Sequence, residues 1–207
     1  MGDTARDGIE ASEISYDDAK QVASHYARWA EQYDRDTESY GYVGPRSAAQ
    51  ALSRHLDPAT AGRILDIGCG TGLTGLALRE LGYTKIDGSD LSPEMLTLAT
   101  KKGVYDNTSI DDLLSGLSHA ADSYDVAIAV GTFGPVGPKA FPQCLRVVRP
   151  GGLLCISVHD MFYETKGFSA LFDRLVVEGQ IEVLELGRRP HLLEGSHDAF
   201  VGVFRVK

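Results

Sequence analysis

The chain has 207 residues, 43% of them hydrophobic, which suits one globular domain with a full core and excludes disordered and collagen-like classes. It carries 20 Lys and Arg against 29 Asp and Glu, a net charge of −9, with no run of three basic residues, so the cationic footprint of a nucleic-acid binder is missing. No apolar run reaches the ~20 residues of a membrane span, and Cys69, Cys144 and Cys155 are too scattered for a disulfide framework or a zinc site.

The N-terminus, "MGDTARDGIEASE", is polar and lacks an apolar signal core, so residues 1–14 are expected to be a mobile tail on a cytoplasmic protein. "ISYDDAKQVASHYARWAEQYDRD" predicts a helix, since Val22, Tyr26, Trp29 and Tyr33 fall on one face. Gly41, Gly44 and Pro45 break it, and "RSAAQALSRHL" predicts a second helix. Strand and helix then alternate: strand "RILDI", helix "GLTGLALREL" closed by Gly82, and strand "KIDGSD". Helix "SPEMLTLATKKG" has Ser92 as N-cap, Pro93 in the first turn and Gly103 after its end. Next come a weak strand "NTSID", a strong strand "YDVAIAVG", a helix starting near Pro142, and a fifth strand "LLCISVH" entered through the turn "RPGG". A helix around "GFSALFDRLVVEG" and two strands, "IEVLELG" and "AFVGVFRVK", finish the chain. This order predicts an α/β fold: a Rossmann-like, seven-stranded, mostly parallel sheet with helices on both faces, an antiparallel C-terminal edge hairpin and an N-terminal helical extension.

The loop after the first strand carries two overlaid fingerprints. Gly70, Gly72 and Gly75 satisfy G-x-G-x-x-G, the dinucleotide pattern, while Asp66, Gly68, Gly70 and Gly72 satisfy D-x-G-x-G-x-G. In either case glycines let the backbone approach a ligand and the helix N-terminus offers free N–H groups; Cys69 needs only to be small. A pyrophosphate would be repelled by Asp66, whereas the methionine end of S-adenosylmethionine (SAM) carries an ammonium that an acid supports. The competing reading of Asp66 is a loop-bracing acid bonded to backbone N–H groups. Asp90 ends the second strand, where a carboxylate accepts both hydroxyls of a ribose, and Leu91 follows it against the adenine. Asp112 or Asp111 is placed to meet the adenine amino group, with Leu113 beside the ring. The Y-x-x-x-K pair of a short-chain reductase is missing after the fourth strand, where Tyr163 and Lys166 are one residue too close, so the SAM register is preferred. Gly75 is then expected inside the helix for close packing against the strand.

On these segments the chain resembles the class I SAM-dependent methyltransferases. "ILDIGCGTG", "IDGSDLSPEML", "YDVAIAVGTF" and "LRVVRPGGLL" are similar to that family's motifs, in order, from about Arg63 to His159. "YARWAEQYDRDTESYGYVGP" and "KKGVYDN" resemble a narrower group of small methyltransferase-like proteins that includes the Williams–Beuren syndrome region methyltransferase. The resemblance implies that Asp66, Gly68, Gly70 and Gly72 meet the methionine end, Asp90 the ribose, Leu91 and Met95 the adenine, and Asp112 its amino group. It puts Gly131 and Thr132 near the sulfonium and Tyr33, with Trp29, on a helix over the cofactor. Residues 15–207 then form a single domain, with a helical lid over 15–60, a cofactor-binding core over 61–160 and a C-terminal helix and hairpin over 161–207. The N/D-P-P-Y/F motif of amino-group methylation on DNA or protein glutamine is replaced by "GTFGPVGP".

Methyl transfer needs alignment and exclusion of water more than a dedicated catalytic group. His159, ending the fifth strand, is the candidate base, against the plainer reading of a surface histidine; His191 and His197 are weaker candidates. Tyr26, Trp29 and Tyr33 either roof the cationic sulfur or form a stripe packed on the sheet. The expected partner is a small-molecule methyl acceptor, with no metal, nucleic acid or membrane; a protein methyltransferase and a non-catalytic SAM-binding adaptor are the alternatives.

Overall fold

A computed structural model describes residues 19–193 and 198–207. The predicted tail over 1–14, the predicted start of the first helix and His197 lie outside the described residues.

Helix α1 (Ala19–Ser39) runs one turn past its expected end, and α2 (Gly44–Ser53) starts earlier than expected. Pro45 stands in the first turn of α2, where a missing N–H costs nothing, so the residue read as a breaker begins the helix. Then follow β1 (Ile64–Ile67), α3 (Leu73–Glu80), β2 (Ile86–Asp90), α4 (Pro93–Lys102), β3 (Asn107–Ile110) and β4 (Tyr124–Val130). The start of α4 is fixed as expected: Ser92 Oγ accepts from Met95 N at 3.3 Å, with Gly103 left-handed at the end. A short α5 (Phe133–Val136), unforeseen in the sequence, and a 3-10 turn at Pro138–Ala140 lead to α6 (Phe141–Val147).

Strand β5 spans Val148–His159 and differs from expectation in taking in "RPGG". Tyr124 pairs with Val148 and Val126 with Leu153, so the extra residues bulge within a strand rather than turn into one. The helix expected around "GFSALFDRLVVEG" is α8 (Phe168–Val177), and an unforeseen short α7 (Asp160–Thr165) precedes it, divided from it at the left-handed Gly167. β6 (Ile181–Pro190) and β7 (Asp198–Val206) close the sheet as an antiparallel hairpin, with β7 against β5 and β6 outermost.

The sheet order is β3-β2-β1-β4-β5-β7-β6, with β3, β2, β1, β4 and β5 parallel. Residue alternation divides the core. Leu65, Ala127, Leu154 and Ile156 face a layer built on Phe133, Phe141, Phe168 and Phe172, while Ile64, Val126, Ile128 and Cys155 face Ala48, Leu52 and Leu78 of α2 and α3. Because β1 pairs with both β2 and β4, the chain leaves β1 and β4 in opposite directions, which opens a crevice at their carboxyl ends. No helix of the described residues is long and apolar enough to cross a membrane.

Candidate functional site

The crevice is a cleft of about 840 Å3, counted to its open mouth. Gly68 and Gly70 of the β1–α3 loop, the Ser89–Ser92 segment with Met95, Asp111–Leu113 and Val130–Thr132 line it, and Val22, Ala23, Tyr26 and Tyr33 of α1 form another wall. The loop is held to β2 by Cys69 N donating to Ser89 O at 2.9 Å. Gly68 is left-handed, at φ 67°, and a Cβ there would stand 2.4 Å from Thr132 Oγ1. Only glycine lets the ends of β1 and β4 approach this closely.

Asp90 carries the geometry of the cleft wall. Its Oδ2 accepts from Gly70 N at 2.8 Å and its Oδ1 from Ser92 N at 2.9 Å, which ties the glycine loop to the start of α4. Burial raises its pKa, opposed by the N–H groups of Ser92, Gly70 and Leu91. The carboxylate keeps acceptor capacity for a further donor. The acid thus ties the glycine loop to the start of α4 while lining the cleft.

Asp66 lies beneath the loop rather than on the cleft wall, with no solvent exposure. Its Oδ2 accepts from the Tyr105 hydroxyl at 2.5 Å, and its Oδ1 is buried without a hydrogen-bond partner. No backbone N–H among the described residues braces it. Burial pushes its pKa up to about 7 against the Tyr105 hydrogen bond, with the charge of Asp90 adding to the rise. Cys69 and Gly72 also lie off the wall: Cys69 is buried with its sulfur against Gly88, and Gly72 is the left-handed residue before α3. Gly75 faces the ring of Tyr105 rather than a strand.

Leu91, Met95 and Leu113 lie on the wall, with Met95 buried. Asp111 and Asp112 both line it but are occupied differently. Asp111 accepts from Ser109 Oγ and Ser118 N and pairs with His119 at 3.3 Å, so it braces the following loop. Asp112 bonds Leu114 N and Ser115 Oγ in a local turn and is the more exposed of the two.

Helix α1 is fastened across this site. Asp34 Oδ1 accepts from Thr71 Oγ1 at 2.5 Å, and Asp34 Oδ2 meets Lys102 Nζ at 2.6 Å. The Tyr33 phenol is pushed above its ordinary pKa by burial and by Tyr42, Asp90 and Asp34 nearby, so it stays a neutral donor. Trp29 is turned away from the wall; it stacks edge-on against Tyr33 at 4.6 Å and donates to Asp36 Oδ2 at 2.6 Å.

His159 is not on the cleft wall. Its Nδ1 accepts from Met161 N at 3.3 Å, capping α7, and lies 3.2 Å from Asp160. A series of rings connects it to the cleft: His159 to His191 at 5.4 Å, His191 to Tyr42 at 4.9 Å, and the Tyr42 hydroxyl 3.3 Å from where a Gly131 Cβ would stand. Tyr42 and Tyr105 are the residues that sequence reasoning missed. Tyr42 sits in a segment read only as a helix break. The signal for Tyr105 was Gly75, a glycine inside a helix that leaves room for a neighbour.

The methyltransferase-domain family matches residues 64–152. Human Methyltransferase-like protein 27 is 35% identical over 175 residues, covering 81% of this chain and 71% of that protein. Ribosomal protein L11 methyltransferase of Hydrogenovibrio crunogenus is 28% identical over 56% of this chain, which spans 41% of that protein's length. Among solved structures, Burkholderia thailandensis 1,6-didemethyltoxoflavin-N1-methyltransferase, with bound 1,6-didemethyltoxoflavin and S-adenosylhomocysteine, aligns with a TM-score of 0.68 at 20% identity, covering 94% of this chain and 91% of that one. Fold, glycine loop and relatives together define the class: the chain belongs to the class I SAM-dependent methyltransferases. Within the class its likeness is to the methyltransferase-like proteins represented by human Methyltransferase-like protein 27. The residues suit the cofactor, since a buried carboxylate oxygen without a partner is a place for an ammonium, and a strand-end acid beside a hydrophobic wall is a place for an adenosine.

Proposed function

We propose that this chain transfers the methyl group of SAM to a small-molecule acceptor by in-line displacement, in the cytoplasm. The observation that carries the acceptor size is the wall of α1: Val22, Ala23, Tyr26 and Tyr33 stand over the strand ends, so the cleft is shaped to enclose its ligand. The buried free thiols of Cys69, Cys144 and Cys155 suit a reducing compartment.

SAM, when bound, supplies a methyl carbon already activated by its sulfonium. The chain's own residues then bind and orient. Gly68 and Gly70 admit the methionine end, with Cys69 and Gly72 shaping the loop; Asp66 meets the ammonium and Asp90 the ribose. Leu91, Met95 and Leu113 hold the adenine, with Asp112 at its amino group because Asp111 is committed to its own loop. Gly131 and Thr132 border the sulfonium, and Tyr33 excludes water above it. We place the acceptor on the side of Tyr42 and His191; His159, at the far end of that ring series, is the candidate base only for an acceptor that reaches past Tyr42.

Calorimetry tests the cofactor part. SAM and S-adenosylhomocysteine are expected to bind at about micromolar strength and NADH not at all; tight NADH binding without a SAM signal refutes the assignment. A screen with methyl-labelled SAM against metabolite and protein extracts tests the acceptor. Label in a small molecule supports the proposal. Label in protein favours the second reading, to which the acidic net charge of −9 and the L11 methyltransferase relative lend support, since an acidic surface attracts basic polypeptides. SAM binding with no transfer in either extract favours an adaptor.

A further inference from the structure

Tyr105 lies between α4 and β3, and neither fingerprint gives it a role. Its ring fills a slot that three glycines leave open. A Cβ at Gly75 would stand 2.7 Å from Cε1 and Cζ and 2.8 Å from the hydroxyl; at Gly88 it would stand 3.1 Å from Cδ2, and at Gly72 3.3 Å from Cε2. The positions belong to α3, β2 and the loop before α3, so three separate segments omit a side chain to admit one ring. At the bottom of the slot the hydroxyl donates to Asp66 Oδ2 at 2.5 Å. Asp66 is fully buried, and this leaves Oδ1 as its oxygen without a partner.

We propose that Tyr105 is a positioning residue for cofactor binding: it fixes the Asp66 carboxyl beneath the glycine loop through Oδ2, so that Oδ1 is the oxygen left for the ammonium of SAM when the loop admits it. The proposal rests on the placement of that ammonium at Asp66, which the test below checks separately. A phenol hydrogen bond favours the charged form of a carboxylate, so Tyr105 also sets the pH at which Asp66 becomes an anion able to pair with an ammonium. The other titratable groups facing Asp66 are Cys69 of the loop, Asp90 at the end of β2, and Tyr42 from the α1–α2 connection. Cys69 and Tyr42 are kept neutral by burial, and Asp90 opposes ionisation of Asp66. The Asp34–Lys102 pair sits at Thr71, on the same loop.

The experiment is calorimetric titration of the full chain with S-adenosylhomocysteine between about pH 5.5 and 8.5, a range centred on the raised Asp66 carboxyl value of about 7. Wild-type affinity is expected to rise with pH through about 7 and then level off, because Asp66 must lose its proton to pair. Tyr105→Phe should bind about ten-fold more weakly at pH 7, with the midpoint displaced to higher pH. Gly75→Ala should act in the same direction by pushing the ring, although alanine is the better helix former, and it carries the test if the Tyr105 variant does not fold. Asp66→Asn should weaken binding and abolish the inflection, and adding Tyr105→Phe to it should change nothing further. Folded Tyr105→Phe and Gly75→Ala variants with wild-type affinity and midpoint overturn the proposal while leaving the Asp66 placement intact. Asp66→Asn with a wild-type pH profile overturns that placement, and the proposal with it.

Discussion

Replacing Asp90 separates its two roles. In Asp90→Ala, the N–H groups of Gly70 and Ser92 lose their acceptors, at 2.8 and 2.9 Å in the intact protein. A hydrogen bond to a charged group contributes about 1.5–3 kcal/mol. Asp90 lines a cleft that water can enter, so both N–H groups can be partly resatisfied, and the pair should cost about 2–3 kcal/mol in all. For a chain of this size that lowers Tm by about 5–10 °C. If Asp90 also holds the ribose, S-adenosylhomocysteine should bind with a further loss of about 1–3 kcal/mol, or roughly 5- to 150-fold. Asp90→Asn retains one carbonyl acceptor and should recover part of the Tm but little of the affinity, because one amide oxygen cannot serve a backbone N–H and both hydroxyls together and the NH2 group only donates. Thermal unfolding and calorimetry on the same samples give the two numbers. A lowered Tm with unchanged affinity would show that Asp90 only braces the loop, and the ribose assignment would be wrong.

Three further outcomes are expected. Asp34→Ala removes both bonds that fasten α1 to Thr71 and Lys102, and should raise the dissociation rate of S-adenosylhomocysteine about three- to ten-fold in stopped-flow measurements, with little change in Tm; an unchanged rate would mean that α1 is held by its apolar contacts alone. Gly68→Ala combines a left-handed backbone with a Cβ 2.4 Å from Thr132 Oγ1 and should cost about 1–3 kcal/mol in urea unfolding while also weakening the cofactor; a neutral effect would contradict the close approach of β1 and β4. Asp66 has a folded-state pKa raised to about 7 from the ordinary 3.8 of an aspartate, so the folded protein binds more protons than the unfolded chain between these values and stability of the ligand-free protein should fall as pH rises through that window, by at most about 4 kcal/mol. Asp66→Asn should flatten that slope, and an equal slope in both proteins would show that another group is responsible.

The sequence displays the strands and the cleft walls clearly because both are local patterns. Short apolar runs bounded by turn residues gave β1, β4 and β5, and the sheet's switch point follows from their alternation with helices. Asp90 was legible as a strand-end acid at a fixed distance from the loop. Other features depend on which segments meet. "RPGG" reads as a turn, but pairing with β4 on both sides makes it a bulge in β5. Pro45 reads as a break, but beside a Gly it starts α2. His159 reads as a strand-end base, but the N-terminus of α7 takes its Nδ1 and sets it beyond Tyr42 and His191. Asp111 and Asp112 are equivalent in sequence, and only the return of the chain at Ser118 and His119 tells them apart.

The two glycine fingerprints are reconciled by what each glycine accommodates. Gly68 makes room for the end of β4, and Gly72 and Gly75 for Tyr105. The third glycine of G-x-G-x-x-G therefore serves the acid of D-x-G-x-G-x-G, since it admits the ring whose hydroxyl reaches Asp66. A fully buried carboxyl with an unpartnered oxygen is costly for the ligand-free protein. The cost is relieved in two ways, by keeping a proton below about pH 7 or by pairing with a cation above it. An ammonium that pairs with Oδ1 thus gains the free energy that the free protein lacks, and by linkage its affinity and the stability it confers must change together with pH.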